Sequence, residues 1–208
     1  METKDILDEK NHVILLKGRI TNELADKFLF ALDKLTSRLV PVVEGGILPS
    51  LPSEKNVTLG RLVNVVIDSI GGSVDAGARI TNALAKLTEP DCHVTGLAAK
   101  ASSVAFLILQ SCLLRTAMRG ERKVLYIHRM EHSLPGHSLR EFPKEVFRAE
   151  RTRYEFIAWR TDKKLKEIYD LANAKTYFTA DEALAHNFLD FVWEKPPPFI
   201  PKGVFIFI

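Results

Sequence analysis

The sequence predicts an α/β domain built around a largely parallel sheet, and three observations carry that reading. Strand and helix patterns alternate along the chain, the order of repeated βα units. Val63 to Ile67 is a near-continuous apolar and β-branched run, as found in strands covered on both faces. Twice, at Gly71-Gly72-Ser73 and at Ala101-Ser102-Ser103, a strand runs into a tight turn that opens a helix. The 208 residues suit one domain with a full core, and no internal repeat interrupts them.

Element by element, His12 to Leu16 reads as a short strand turning at Gly18. A helix follows from about Asn22 to Leu35, with Ala25, Phe28, Leu29, Leu32 and Leu35 at helical spacing. Residues 38–60 carry Gly45, Gly46, Pro49 and Pro52 among polar neighbours and read as a surface excursion. After the Val63–Ile67 strand and the Gly71-Gly72 turn, Ser73 can cap a helix whose stripe is Ala76, Ile80, Ala83, Leu84 and Leu87. Pro90 ends it, and Val94 to Leu97 is the next strand.

The helix predicted from about Ser103 to Arg115 is apolar all round, which calls for a central, buried position. Val124 to His128 reads as a strand closing on a histidine, and 129–140 as a polar loop around Pro135-Gly136. Glu145 to about Arg160 predicts a long amphipathic helix and Lys163 to Ala172 a shorter one. Thr179 caps a helix reaching about His186, and Leu189 to Val192 is a last strand.

Composition excludes more than it selects. Apolar residues at 46% and charged residues at 26% are ordinary for a globular domain, and a net charge of +3 is too small to imply nucleic acid or a membrane surface. Cys92 and Cys112 lie far apart in apolar contexts, so a reducing compartment fits. The charged N-terminus lacks the apolar core of a signal peptide, and the Ser103–Leu114 run falls short of a membrane span. A cytoplasmic protein is the expectation. His128, His132 and His137 share no helix face, so no metal and no cofactor are expected. The basic stretch from Arg148 to Lys166, interleaved with Phe147, Tyr154, Phe156 and Trp159, reads as a solvated helix face with a buried aromatic stripe. Lys100 or Lys175 beside Ser102 would make a serine–lysine dyad, but a lone lysine is far more often a surface charge.

The chemistry lies in the turns. A serine hydroxyl needs a base to remove its proton, and the tetrahedral intermediate needs donors aimed at its oxyanion. Ser102 at a helix start, His128 at a strand end and the Gly71-Gly72 turn supply a nucleophile, a base and a backbone that allows close approach. The N–H of Ser103 is a natural oxyanion donor, and the Gly-Gly turn offers the second. In a parallel sheet the carboxyl ends of the strands are where sites assemble.

These segments resemble the proteolytic subunit of the Clp protease family, serine peptidases of the ClpP/crotonase-like fold. Asp68-Ser69-Ile70-Gly71-Gly72-Ser73-Val74 is similar to that family's N-S-P-G-G-S-V turn. Ala101-Ser102-Ser103-Val104-Ala105-Phe106 resembles A-S-M-G-A-F, and Tyr126-Ile127-His128 resembles M-I-H. Phe178 to Ala183 followed by Asn187 to Asp190 resembles L-S-A-x-E-A…G-L-V-D. The resemblance implies catalytic Ser102 and His128, with Gly72 and Ser103 as the oxyanion hole. It implies a repeated ββα superhelix with a protruding helical handle, here residues 131–160, through which rings stack around a chamber. The peptidase domain would span 1–193, with an apolar tail over 194–208.

Three departures accompany the resemblance. The position matching the catalytic aspartate holds Lys175, leaving Asp170, Asn173 and Glu131 as alternatives for the third triad member. Ile70 stands for the proline before Gly-Gly, and Val104 for the glycine of A-S-M-G, which puts β-branched bulk beside the oxyanion hole. About eleven residues precede the first strand where the family carries a longer axial loop, so docking of an AAA+ unfoldase stays open. The expectation is a serine endopeptidase acting on peptides or unfolded proteins in a homo-oligomeric ring. The alternatives are a catalytically silent subunit of such a ring and, more distantly, an acyl-CoA enzyme of the crotonase type. The tail, Pro196 to Pro201 and then Val204 to Ile208, is expected to pack against a neighbouring subunit.

Overall fold

A computed structural model describes residues 6–37, 61–87, 92–129, 144–197 and 199–200. An eight-stranded sheet is its spine, six strands of which lie side by side in the order β1-β2-β3-β4-β5-β8. These are β1 (Leu7–Asp8), β2 (Val13–Ile20), β3 (Arg61–Gly72), β4 (Cys92–Ser102), β5 (Leu114–Met118) and β8 (Phe191–Trp193). From β2 to β8 every neighbouring pair is parallel, and only β1 runs antiparallel at the edge. Parallel neighbours need crossovers. Three of the crossovers contain helices α1 (Asn22–Ser37), α2 (Val74–Leu87) and α3 (Val104–Gln110). The mixed α/β class with a mostly parallel sheet is therefore as the sequence predicts.

The sheet forks at β4. Thr95 to Ala98 pair with β5, whereas Ala101 and Ser102 pair with the short strand β6 (Leu125–Ile127). β6 in turn pairs antiparallel with β7 (Thr176–Phe178). Behind this smaller limb stand α4 (Lys144–Thr161), α5 (Leu165–Asn173) and α6 (Ala180–Ala185). Thr179 caps α6 through a full capping box with Glu182, as the sequence predicts. Hydrogen bonding to Lys123, together with that cap, holds the Glu182 carboxyl down at about 2.

The main core lies between the sheet and α1, α2 and α3, around Phe28, Ile67, Ile80, Leu84 and Phe106. All seven residues of α3 are buried, in keeping with its all-round apolar sequence. Contact between α2 and α3 is close enough that a Cβ at Gly77 would sit 2.0 Å from Val104 Cγ2.

Several boundaries differ from the sequence expectation. The helix expected to reach Arg115 stops at Gln110, because the chain turns at Ser111 and the Leu113 N–H passes to the Val94 carbonyl at 2.9 Å. Leu114 to Met118 then form β5, where pairing with β4 and β8 takes the chain out of the helical pattern. Gly18 does not end β2; it lies within the strand, at φ 82°, where the register shifts between Lys17 and Arg19. In the expected aromatic stripe of α4, Tyr154 is buried but Trp159 is 76% exposed. The basic residues of this region are largely engaged within the chain, as in Arg151 with Glu155 and Lys166 with Asp170.

In the tail, Phe199 and Ile200 pack with Leu15 and Trp193 onto Val13, Val66 and Leu97, a second apolar cluster. The start of the tail thus packs on its own chain. The excursion at 38–60, Pro90, residues 131–143 of the expected handle and the Val204–Ile208 segment lie outside the described residues. No described helix is long and apolar enough to cross a membrane, and no cluster of metal-binding side chains occurs among the described residues. Both cysteines are buried, and burial pushes the Cys112 thiol up to about 12.

Candidate active site

Ser102 is the last residue of β4, placed opposite Tyr126 and only 6% exposed. The sequence puts it at a helix start, but one turn residue intervenes. Ser103, at φ 58° and ψ −123°, swings the chain from β4 into α3, whose first residue is Val104. A non-glycine residue at positive φ costs on the order of 1–3 kcal/mol and persists where its surroundings fix it. Here the Ser103 N–H donates to the Tyr126 carbonyl at 3.0 Å, and its own carbonyl accepts from Phe106 N–H at 3.0 Å. Serving as an oxyanion donor therefore requires the bond to Tyr126 to open.

The Gly-Gly turn is pressed against this corner. A Cβ on Gly71, at φ 90°, would lie 2.7 Å from both the Ser102 carbonyl oxygen and Ser103 Cβ. A Cβ on Gly72 would lie 2.2 Å from the Ile20 carbonyl oxygen. Only glycine lets backbone approach so closely at both places. Ser69 organises the turn: its hydroxyl donates to the Gly18 carbonyl at 2.6 Å and accepts from Gly71 N–H at 3.1 Å. Beyond the turn, Ser73 caps α2 by accepting from Ala76 N–H at 3.3 Å. Of the two departures at this turn, Ile70 projects to solvent and Val104 turns its methyls onto Gly77.

His128 follows β6 directly. Its ring stacks on Tyr126 at 4.9 Å between centroids, and Tyr126 stacks on Tyr177 of β7 at 4.0 Å. The imidazole is thus held by a ladder of aromatic rings. Its Nδ1 is buried with no hydrogen-bond partner. No hydrogen bond joins Ser102 to His128 among the described residues. Uncomplexed sites often show such pairs loosely set, tightening only around substrate.

Of the candidates for the third triad member, Asp170 and Asn173 face solvent, and Lys175 comes next to His128. Lys175 directly precedes the Ile127–Thr176 pair that ends the β6–β7 ladder, so it falls beside His128, exposed and at φ 52°. Asp170 faces solvent on α5 and pairs with Lys166 at 2.7 Å. Asn173 is exposed on the last turn of α5, and Glu131 lies outside the described residues. Lys100 is half-exposed on β4.

What the sequence reading missed stands on α4. Glu150 is 4% exposed and binds Arg129, its Oε2 accepting from the guanidinium at 2.6 Å. The Tyr154 hydroxyl donates to the His128 carbonyl at 3.1 Å and lies 3.4 Å from Glu150 Oε1. Burial pushes the Tyr154 phenol well above its ordinary range. The signal was available: Glu150, Tyr154 and Ile157 share one helical stripe at i, i+4 and i+7, an acid inside an otherwise apolar face.

A cavity of about 50 Å3 lies against the site, with Ser103, His128, Glu150, Arg153 and Tyr154 among its lining. A larger groove of about 710 Å3 runs between α2, the end of α3 and α4, past Ala85, Leu107 and Trp159. It touches none of Ser102, His128, Gly71 or Gly72. Chemistry, not volume, makes the Ser102–His128 region the candidate site.

Compared with known protein families, residues 54–196 match the model of the Clp protease family. This chain belongs to the Clp protease family. The matched span contains the Gly-Gly turn, Ser102, His128 and the β6–β7 limb. Among curated proteins, the ATP-dependent Clp protease proteolytic subunit 2 of Bifidobacterium longum (strain NCC 2705) is 31% identical over 126 residues. That similarity covers 60% of this chain, and the chain spans 60% of the length of that relative.

Proposed function

We propose that this Clp-family chain is a serine endopeptidase subunit hydrolysing peptide bonds. The observation that carries the reading is the packing of the Gly71-Gly72 turn against the Ser102-Ser103 corner, beside the strand that delivers His128. Ser102 Oγ attacks the substrate carbonyl carbon while His128 takes its proton. The oxyanion is received by the Gly72 N–H and, once released from Tyr126, by the Ser103 N–H. Collapse of the intermediate breaks the C–N bond, and His128 gives its proton to the leaving amine. Water then attacks the ester, its proton passing to His128 and on to Ser102 as the acid product leaves.

The rest of the reading follows the family. The peptidase unit spans 1–193 as a ββα superhelix, and the 131–160 handle joins rings of identical subunits around a chamber in the cytoplasm. Peptides or unfolded proteins are the substrates, and an AAA+ unfoldase is an open partner.

A second reading, a silent subunit in such a ring, is favoured by Lys175 at the aspartate position and by the engaged Ser103 N–H. A serine-directed fluorophosphonate with mass-spectrometric mapping separates the two. Labelling confined to Ser102, and absent in Ser102→Ala, is the expected result. An assembled, folded protein that takes no label is the silent subunit.

A further inference from the structure

The missing aspartate leaves two facts to be reconciled: a buried imidazole nitrogen without a partner, and a buried carboxylate on the helix beside it. His128 Nδ1 has no hydrogen-bond partner, and Glu150 is almost fully buried on the adjacent face of α4. Both line the same cavity of about 50 Å3, and Glu150 is the one carboxylate among its lining residues. A cavity of that size admits ordered water, since roughly 10–15 Å3 of such space accommodates one molecule. A hydrogen-bond path from imidazole to carboxylate therefore fits within it.

The same two residues are tied through the backbone. Tyr154, one turn beyond Glu150, donates to the His128 carbonyl, and Arg129, next to His128, binds Glu150 through Nε at 3.2 Å and through its terminal nitrogen. α4 thus grips the His128–Arg129 segment at two points.

We propose that Glu150 replaces the missing aspartate as the anionic partner of His128, reaching Nδ1 across this cavity and fixing the imidazole with Nε2 free to serve Ser102. The proposal rests on the peptidase reading for its catalytic purpose, but the partnership itself is a property of the resting protein. Glu150 is a positioning residue, acting only through His128.

The charged and titratable groups around His128 agree with this assignment. Its own segment contributes Arg129, and α4 contributes Glu150, Arg153 and Tyr154. The β7 side contributes Lys175 and Tyr177, and β4 contributes Ser102 with the turn residue Ser103. The cationic residues of these segments, Arg129, Arg153 and Lys175, outnumber their one carboxylate, so an imidazolium formed during turnover needs that anion. Glu150 is placed to be that anion.

The test reads the tautomer of His128 by nitrogen-15 NMR of the ring-labelled full-length protein, at a pH where imidazole is neutral. The expected result is the Nδ1–H form in the wild type, and a return towards the Nε2–H form in Glu150→Leu. The rate of fluorophosphonate labelling at Ser102 is expected to fall by about 10,000-fold in Glu150→Leu and to recover partly in Glu150→Asp, the scale seen when a triad histidine loses its orienting acid. A wild type in the Nε2–H form overturns the proposal without any variant, which covers the case in which Glu150→Leu does not fold. A folded Glu150→Leu protein with an unchanged tautomer and labelling rate overturns it as well. If the tautomer shifts as expected but Ser102 takes no label even in the wild type, the Glu150 partnership stands and the peptidase reading falls.

Discussion

The two ends of α3 are built on opposite terms. At its C-terminal end the side chains of Gln110, Ser111 and Arg115 all find partners. Buried Arg115 gives its backbone N–H and its Nε to Asp190 Oδ2 at 2.8 and 2.9 Å, and another guanidinium nitrogen to Asp190 Oδ1. It also reaches Gln110 Oε1 at 2.8 Å, and Gln110 donates onward to the Phe188 carbonyl at 3.0 Å. Arg160 closes the end by donating to the Cys112 carbonyl at 2.9 Å. The N-terminal end, in contrast, holds Ser103 at positive φ, two glycines in forced contact and an imidazole nitrogen with no partner. One short helix therefore separates a satisfied end that secures the fold from a strained end that holds the proposed nucleophile and base. Strain and unmet hydrogen bonds concentrate where function needs them, and satisfied networks keep them in place.

That contrast can be broken first at the satisfied end. Arg115→Ala leaves Asp190 and Gln110 without their main partner, and the expected loss is about 3–5 kcal/mol, the usual consequence of halving a buried ion pair. Thermal melting checks it; a change below about 1 kcal/mol would mean that this end does not anchor the fold. Gly71→Ala attacks the strained end. Its Cβ would meet the Ser102 and Ser103 atoms at 2.7 Å, and a positive φ must be held by an L-residue. A loss of roughly 1–3 kcal/mol is expected, together with loss of fluorophosphonate labelling. Retained labelling would show that the corner tolerates displacement.

Acid sharpens the comparison further. Burial pushes the Asp190 carboxyl up, but its hydrogen bonds and charge pairing with Arg115 outweigh this and hold it below the ordinary range. A carboxyl depressed in the folded state contributes stability that is fully present above its unfolded value of about 3.9, and that fades as pH falls through the lower folded value. Urea unfolding from pH 6 to pH 3 should therefore show an acid loss in the wild type that is smaller in Arg115→Ala. Equal losses would remove Asp190 from the account. The smallest effect expected is that of Thr179→Ala, which deletes the cap of α6 behind β7 and should cost about 1 kcal/mol without altering labelling at Ser102.

Much of this was legible in the sequence because it depends on local pattern. The β-branched run of β3 and the Gly-Gly turn could be read directly, as could the Ser73 and Thr179 caps and the apolar α3. Each is encoded within a few neighbouring residues. The missed features depend on pairing between distant segments. β5 lay hidden in the same apolar run as α3, and only the Val94 carbonyl decides where the helix stops. β7 is three residues whose strand character comes from β6. Trp159 follows helical spacing yet faces outward. The serine and histidine announced themselves through flanking motifs, whereas Glu150 is one of three acids in a charged helix, given meaning only by the segment folded against it.

The three residues of β6 have a further consequence. β6 borders β4 at two positions and β7 at three, and the bonds Ala101 N–H to Val124 O, Ser103 N–H to Tyr126 O and Val124 N–H to Phe178 O tie the three strands together. Such a small unit can open while the long β2-β3-β4 ladder stays closed. Amide exchange at Ser103 and Val124 then reports one shared local opening event, with a free energy well below that of unfolding the whole chain. The geometry at Ser102 and His128 would last only as long as that short strand stays zipped.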